Sequence, residues 1–240
     1  MKKDICMFMY SHSSYSDAWH PFIQQADKFM PEYKKFIFAD KRAIDLPPHW
    51  DLIEYDNSSS YSDRMSACLE KIDYKLCIYN HEDMFLYDQP DAEKMSLYEQ
   101  VVLQGNVDFI RLLRSVDTPL IPYKGTNTLF PVPDHSRYFF TVQPTICDTQ
   151  VLLNICKQTP IDHLREFEIK VQETCRRQKV RGLFHYGGEE KAGLFHYDSS
   201  VYPYIATAIV KGKWNLSGYP RRLQKVLREY KIDTKNRGTI

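Results

Sequence analysis

Lys75-Leu76-Cys77-Ile78-Tyr79-Asn80-His81-Glu82-Asp83-Met84-Phe85-Leu86 decides how this chain is read, because an apolar run meets a pair of acids at one point. Lys75 to Tyr79 has the aromatic and branched content of a buried strand, and the charge arrives where such a strand leaves the core. In open α/β sheets ligands sit at that edge. Two carboxylates there, with a histidine beside them, suit a hard divalent cation that clamps a diphosphate. They equally suit two solvated loop acids beside a partly buried histidine, and spacing alone does not separate the two.

Upstream, strand and helix alternate. Ile5 to Tyr10 is an apolar strand and Ser11 to Ser14 a polar loop. Asp17 then caps a helix with Trp19, Phe22, Ile23, Ala26 and Met30 on its apolar face and Pro21 in its first turn. Lys35 to Ala39 and Leu52 to Tyr55 are further strands. Ser60 or Ser62 starts a helix with Met65, Cys68, Leu69 and Ile72 inward. This β-α-β-β-α-β order predicts a mostly parallel sheet. Its carboxyl-end loops, Ser11 to Tyr15, Asp56 to Arg64 and His81 to Asp83, should then converge. In such a pocket Ser11, Ser13 and Tyr15 contact a base or ribose, Asp56 accepts from a base or ribose donor, and Arg64 approaches a phosphate. Each also reads as loop solvation or helix capping. No GxGxxG follows the first strand and no GxxxxGK[ST] occurs, which argues against a dinucleotide fold and a P-loop phosphotransferase.

The 240 residues, 43% of them hydrophobic, can bury a sizeable core. A formal net charge of +1 gives no global pull toward nucleic acid or an anionic membrane. No apolar run reaches the roughly 18 residues of a membrane span, and Lys2-Lys3-Asp4 makes a poor signal peptide, so a cytoplasmic location is expected. Six scattered cysteines form no CxxC or finger spacing and read as reduced core thiols. Seventeen tyrosines suit stacking on sugars or a nucleobase, or the margin of a core.

Downstream, Asp91 to Leu103 reads as a helix and Asp108 to Leu113 as a strand. Pro119 to Pro133, with four prolines, reads as an irregular crossing segment or flap. Arg137 to Val142 is expected as a strand, followed by helices over Asp148 to Lys157 and Asp162 to Gln178. Gly182-Leu183-Phe184-His185-Tyr186 recurs as Gly193-Leu194-Phe195-His196-Tyr197, and the turn chemistry between predicts a β-hairpin. A basic helix over Tyr219 to Tyr230 and a frayed polar tail, 233–240, end the chain.

The order Tyr10-Ser11-His12-Ser13-Ser14-Tyr15-Ser16-Asp17-Ala18-Trp19, Tyr61-Ser62-Asp63-Arg64, His81-Glu82-Asp83-Met84-Phe85, Val142-Gln143-Pro144-Thr145-Ile146, Glu166-Phe167-Glu168 and Gly212-Lys213-Trp214 resembles the GT-A-type glycosyltransferases of bacterial and viral glycan clusters. The resemblance spans about residues 5 to 216 and lies in the order of the motifs. It implies a GT-A-like α/β fold: three α/β/α layers, a mostly parallel central sheet, and a C-terminal β-hairpin plus helix. It implies one domain over 1–240, with a nucleotide-sugar-binding half, 1–105, an acceptor-binding half, 106–232, and the polar tail 233–240.

The function it implies is transfer of a sugar from a nucleoside diphosphate sugar to a glycan acceptor, inverting and dependent on Mn²⁺ or Mg²⁺. His81-Glu82-Asp83 stands where such enzymes carry an Asp-x-Asp-type motif, with histidine in place of the first acid, so Asp83 becomes the leading metal ligand, with Glu82 and His196 as further ones. Glu168 stands in the place of the general base, with Glu166 as the other candidate. Ser11, His12, Ser13, Tyr15, Asp56, Tyr61, Arg64, Glu82, Gln143 and Lys213 are the implied nucleotide-sugar contacts, and Lys211, Arg221 and Arg222 could add positive charge. Two other classes stay open: a nucleotidyltransferase acting on sugar phosphates, whose usual glycine-rich basic loop is missing, and a non-enzymatic glycan-binding module.

Overall fold

The computed structural model describes residues 2–115, 120–192 and 196–240. Its first part comprises β1 (Ile5–Tyr10), a 3-10 turn (Ser13–Tyr15), α1 (Ser16–Phe29), β2 (Lys34–Ala39), β3 (Trp50–Glu54), α2 (Tyr61–Leu69), β4 (Leu76–His81) and α3 (Ala92–Leu103). Then come β5 (Phe109–Arg111), β6 (Leu129–Pro131), β7 (Thr145–Asp148), α4 (Thr149–Gln158), α5 (Leu164–Arg177) and β8 (Gly182–His185). Short strands β9 (Lys191–Ala192), β10 (His196–Tyr197), β11 (Ile209–Val210) and β12 (Lys213–Trp214) precede α6 (Arg222–Glu229).

One eight-stranded sheet runs in the order β3-β2-β1-β4-β7-β5-β8-β6. β1 to β4 are parallel, as are β5 and β8, while β7 and β6 run against their neighbours. Alternation along β1 shows how two cores form. Ile5, Met7 and Met9 join α1, α3 and α6 on one face, whereas Cys6, Phe8 and Tyr10 join α2, α4 and α5 on the other. Side chains of a strand point alternately to opposite faces, so a strand buried on both sides is apolar throughout. The result is three layers, α/β/α. All six cysteines are free and buried.

Helix starts follow local chemistry. Ser60, Asp91 and Asp148 each accept a hydrogen bond from a first-turn amide of α2, α3 and α4. α1 departs from expectation: Tyr15 precedes it without a side-chain cap, Asp17 lies inside its first turn, and Pro21 is its sixth residue, in the second turn.

Other expectations are corrected. Arg137 to Val142 forms no strand, because side chains take its backbone groups. Arg111 donates to the carbonyls of Tyr138 (2.8 Å) and Phe139 (2.7 Å), Gln172 bonds both backbone groups of Phe140, and Glu168 accepts from the Val142 amide. The two echoes do not pair with each other. Gly182–His185 is wholly buried and sits between β5 and β6 in the main sheet, while His196–Tyr197 pairs with Lys191–Ala192. Gly193 to Phe195 of the second copy lie outside the described residues, as does Pro119 of the proline-rich segment. That segment contains an edge strand, β6, a position where Pro131 costs no ladder bond to a further strand.

Residues 233–240 are tied down instead of frayed. The Trp214 amide donates to Gly238 (3.0 Å), the Ile240 amide to Trp214 (2.9 Å) and the Ser217 amide to Ile240 (2.9 Å). Among the described residues no helix is long and apolar enough to cross a membrane.

Gly182 shows why the first echo needs glycine. A Cβ there would fall inside the Phe109 ring, which packs edge-on against Phe139 and Phe140 and cannot yield. Gly182→Ala is expected to lower unfolding free energy by about 1–3 kcal/mol, the usual cost of overpacking. Urea denaturation checks this, and an unchanged midpoint would contradict it.

Candidate active site at the carboxyl edge of the sheet

β1 and β4 are paired in register, Tyr10 opposite His81, so the loops leaving them emerge side by side. The loop after β3 joins them. A cavity of about 600 Å³ opens there, lined by Tyr10, Ser11, His12, Tyr15, Tyr55, Tyr61, Arg64, His81, Glu82 and the start of α5 from Asp162 to Leu164, with Glu166. Convergence of the three loops thus follows from parallel strand order.

One wall is aromatic. Tyr10 stacks on Tyr55 with ring centroids 5.4 Å apart and meets the Tyr61 ring edge-on at 5.1 Å. Behind them, the Tyr61 and Tyr79 hydroxyls lie 2.8 Å apart, and the Tyr79 hydroxyl lies 2.6 Å from His81 Nε2. Burial lowers the His81 pKa to about 3, so the ring is neutral and held toward the tyrosines. Arg64 lies over the Tyr55 ring and donates to the carbonyls of Ser59 (2.9 Å) and Asn57.

Glu82, half-buried, lines the cavity, while Asp83, also half-buried, is not in the lining. The Asp83 carboxylate accepts from the Ile209 amide (3.2 Å), and its carbonyl accepts from Ala208 (3.1 Å). Burial pushes both carboxyls up, and the Asp83 charge pushes Glu82 further. Ser11 and Arg237 act the other way on Glu82. A raised carboxyl holds its proton in the fold after the unfolded chain has released it. Stability contributed by the protonated pair is therefore lost as pH climbs from the ordinary carboxylate range through the raised values. Glu82→Gln should flatten that decline, as measured by urea unfolding at about pH 5.5 and 8.5; an unaltered slope would assign it elsewhere.

The remaining sequence candidates divide by place. Ser11 is buried, its hydroxyl accepting from Trp19 Nε1 at 2.6 Å. Ser13 turns to Asp40, donating from its amide (2.6 Å) and hydroxyl (2.8 Å), while His12 Nδ1 accepts from the Ser14 amide. Asp56 is spent on its own loop, accepting from the Ser58 amide and hydroxyl, and is not in the lining. Lys213 is exposed on β12 and also outside it.

Gln143 and His196 belong to a separate buried cluster. Gln143 Nε2 lies 3.4 Å from His196 Nε2, and Gln143 Oε1 accepts from the Tyr204 hydroxyl at 2.6 Å. Burial, and then the nearby Arg111 charge, lower the His196 pKa to about 4. His185 is fully buried between the Tyr98 hydroxyl (2.8 Å) and Glu189 (2.9 Å). Glu168, on α5, gives one oxygen to the Val142 amide and lies near the buried Arg111 guanidinium. Glu166 pairs with Lys170 at 2.6 Å on the surface of the same helix.

Among the described residues no group of three or more His, Cys, Asp or Glu side chains could hold a metal ion. Of the acids, Glu82, Asp162 and Glu166 line the cavity, and Asp83 follows Glu82 outside the lining, so the pair expected from the sequence offers one carboxylate at the cavity and one next to it in the chain. That donor set fits a hard ion that keeps waters and takes its other ligands from phosphate oxygens, and does not fit an all-protein cage. Tyr10, Tyr55, His163 and Arg237 were missed in the sequence. The tyrosines sit at strand ends, where an aromatic at the last position is a usable signal; Arg237 offered none.

No protein-family model matches the chain, and no curated protein matches it in sequence. Solved structures do match in shape. S. aureus TarS 1-349 superposes with a TM-score of 0.52 at 11% identity, over 94% of this chain and 64% of that one. S. aureus TarS 1-349 in complex with UDP-GlcNAc gives 0.50 at 9% identity, over 78% of this chain and 60% of that one. A cytidylyltransferase from Leptospira borgpetersenii gives 0.49 at 11% identity, over 96% of each. The chain thus spans less than two thirds of the TarS fragment. At these identities the likeness concerns the fold alone, and the fold is GT-A-like.

Proposed function

We propose that the chain is a glycosyltransferase that moves a sugar from a nucleoside diphosphate sugar to a glycan acceptor, with inversion and with Mn²⁺ or Mg²⁺. The observation that carries this is the acidic pair just past β4, with Glu82 in the lining of a cavity that has an aromatic wall and Asp83 next to it. A nucleobase would lie along the aromatic lining of Tyr10, Tyr15, Tyr55 and Tyr61, with the diphosphate toward Glu82. The UDP-GlcNAc complex of TarS, a protein of the same fold, supports a donor of this class.

Transfer forms a bond from an acceptor oxygen to the anomeric carbon as the bond from that carbon to the diphosphate oxygen breaks. A divalent ion, when bound, would offset the charge growing on the leaving diphosphate. Glu82 and Asp83 would hold it, and Glu168 would take the acceptor proton. Glu166 is the less suited base, since its carboxylate is shared with Lys170 in solvent. Glu166→Gln is accordingly expected to change the transfer rate by less than about threefold, as for an ordinary surface substitution; a hundredfold loss would exchange the two roles.

The test is titration of UDP, GDP and dTDP with and without Mn²⁺, followed by a panel of nucleotide sugars. Mn²⁺-enhanced binding and release of a nucleoside diphosphate are expected. No metal-enhanced binding of any nucleotide would overturn the proposal, and release of pyrophosphate from a nucleoside triphosphate with a sugar phosphate would replace it with nucleotidyl transfer.

A further inference from the structure

Arg237 comes from the segment whose composition suggested fraying, yet its side chain is among the most engaged on this edge. Its Nε donates to Asp17 Oδ2 at 2.9 Å and its Nη2 to Asp17 Oδ1 at 2.5 Å, a two-point pairing of partners 220 positions apart. Nη2 also donates to the Ser14 carbonyl (3.2 Å) and Nη1 to the Gly212 carbonyl (3.3 Å). The guanidinium plane lies 4.5 Å from the Tyr15 ring centroid. One side chain therefore ties the β1–α1 loop to the β11–β12 turn, and Tyr15 lines the cavity beside Glu82.

The backbone is arranged to deliver it. Gly238, with φ +74, turns the chain just after Arg237, and Thr239 then bridges Trp214 in parallel. The left-handed turn is open to glycine at no steric cost. Arginine suits the task because its planar fork pairs with a carboxylate at two points while its face covers an aromatic ring. Lysine can supply the charge and neither geometry.

We propose that Arg237 is a positioning residue of the donor site: it holds Tyr15 as the wall of the nucleotide cavity, so that residues 233–240 set donor affinity without touching the reacting atoms. This rests on the donor-site reading above. A merely structural strap would affect unfolding and leave nucleotide affinity alone. A positioning strap acts through Tyr15, so its effect should vanish when Tyr15 is absent.

The experiment compares wild type, Arg237→Met, Arg237→Lys, Tyr15→Ala and the double variant Tyr15→Ala/Arg237→Met in titrations of UDP, GDP and dTDP with saturating Mn²⁺. Hydrogen exchange over residues 11–17 is followed alongside. For the nucleotide that wild type binds best, Arg237→Met is expected to weaken binding about tenfold, the 1.4 kcal/mol scale of a lost charge-assisted pair. Arg237→Lys should recover only part, exchange should rise over residues 11–17, and Arg237→Met should add nothing in the Tyr15→Ala background. Wild-type affinity in Arg237→Met, or additive losses in the double variant, would overturn this inference while leaving the donor site standing. If wild type binds none of the three nucleotides, the donor site falls and takes the inference with it.

Discussion

Asp83→Ala is expected to abolish the metal-dependent part of nucleotide binding, a loss of about a hundredfold at saturating Mn²⁺ given that a bound ion supplies several kcal/mol of charge stabilisation. Among the described residues no group of three or more His, Cys, Asp or Glu side chains stands ready to hold an ion, so Asp83 has no preformed replacement. Asp83 has a second task, accepting the Ile209 amide, and alanine removes that too. Asp83→Asn separates the tasks, because an amide oxygen still accepts while the charge is gone. Equal losses in both variants would assign the effect to charge. If Asp83→Asn binds nucleotide with Mn²⁺ as wild type does, the metal reading of this residue fails.

Glu168→Gln is expected to leave donor binding intact and lower transfer by about 10²–10⁴-fold, the usual worth of a positioned general base. The competing account is structural. Arg111 is buried, burial lowers its pKa to about 10, and the Glu168 charge opposes that shift. Glutamine keeps an oxygen for the Val142 amide and deprives Arg111 of that negative neighbour. Thermal unfolding therefore has to accompany the rate. Lost transfer with an unchanged midpoint supports the base; transfer at the normal rate excludes it, and a fall in midpoint matching the fall in rate makes Glu168 a counter-charge for Arg111.

The parallel half of the fold was legible because it is made of local signals: apolar runs of strand length, serine and aspartate caps, and helical spacing in α1 and α2. The same regularity made the cavity legible, since parallel neighbours place their exits on one edge. What failed were segments whose backbone partners are remote side chains. Arg137 to Val142 has strand composition, yet Arg111, Gln172 and Glu168 satisfy it from 26 to 32 residues away, and nothing in its own residues says so. The Gly-Leu-Phe-His-Tyr echo misled for a related reason: alike sequences need not share a partner, and the first copy was apolar enough to enter the central sheet.

At the sheet edge, residue type pointed to Glu82 and Asp83, of which Glu82 lines the cavity. It did not announce that Asp56 and Ser13 would spend themselves on Ser58 and Asp40. His81 illustrates the same limit. The Tyr79 hydroxyl meets its ring and the Tyr61 hydroxyl stands behind that, an arrangement that residue type beside two acids did not announce.

The Asp17–Arg237 pairing also orders events in time. Chains fold from the amino end as they are synthesised, at roughly 5–20 residues per second. β1 to β4 and their helices have every partner they need for pairing with one another by residue 81. The β1–α1 loop waits for a residue 220 positions later. A nascent chain would therefore hold the four parallel strands and the Glu82–Asp83 pair well before the loop that carries Tyr15 is tied down by Arg237.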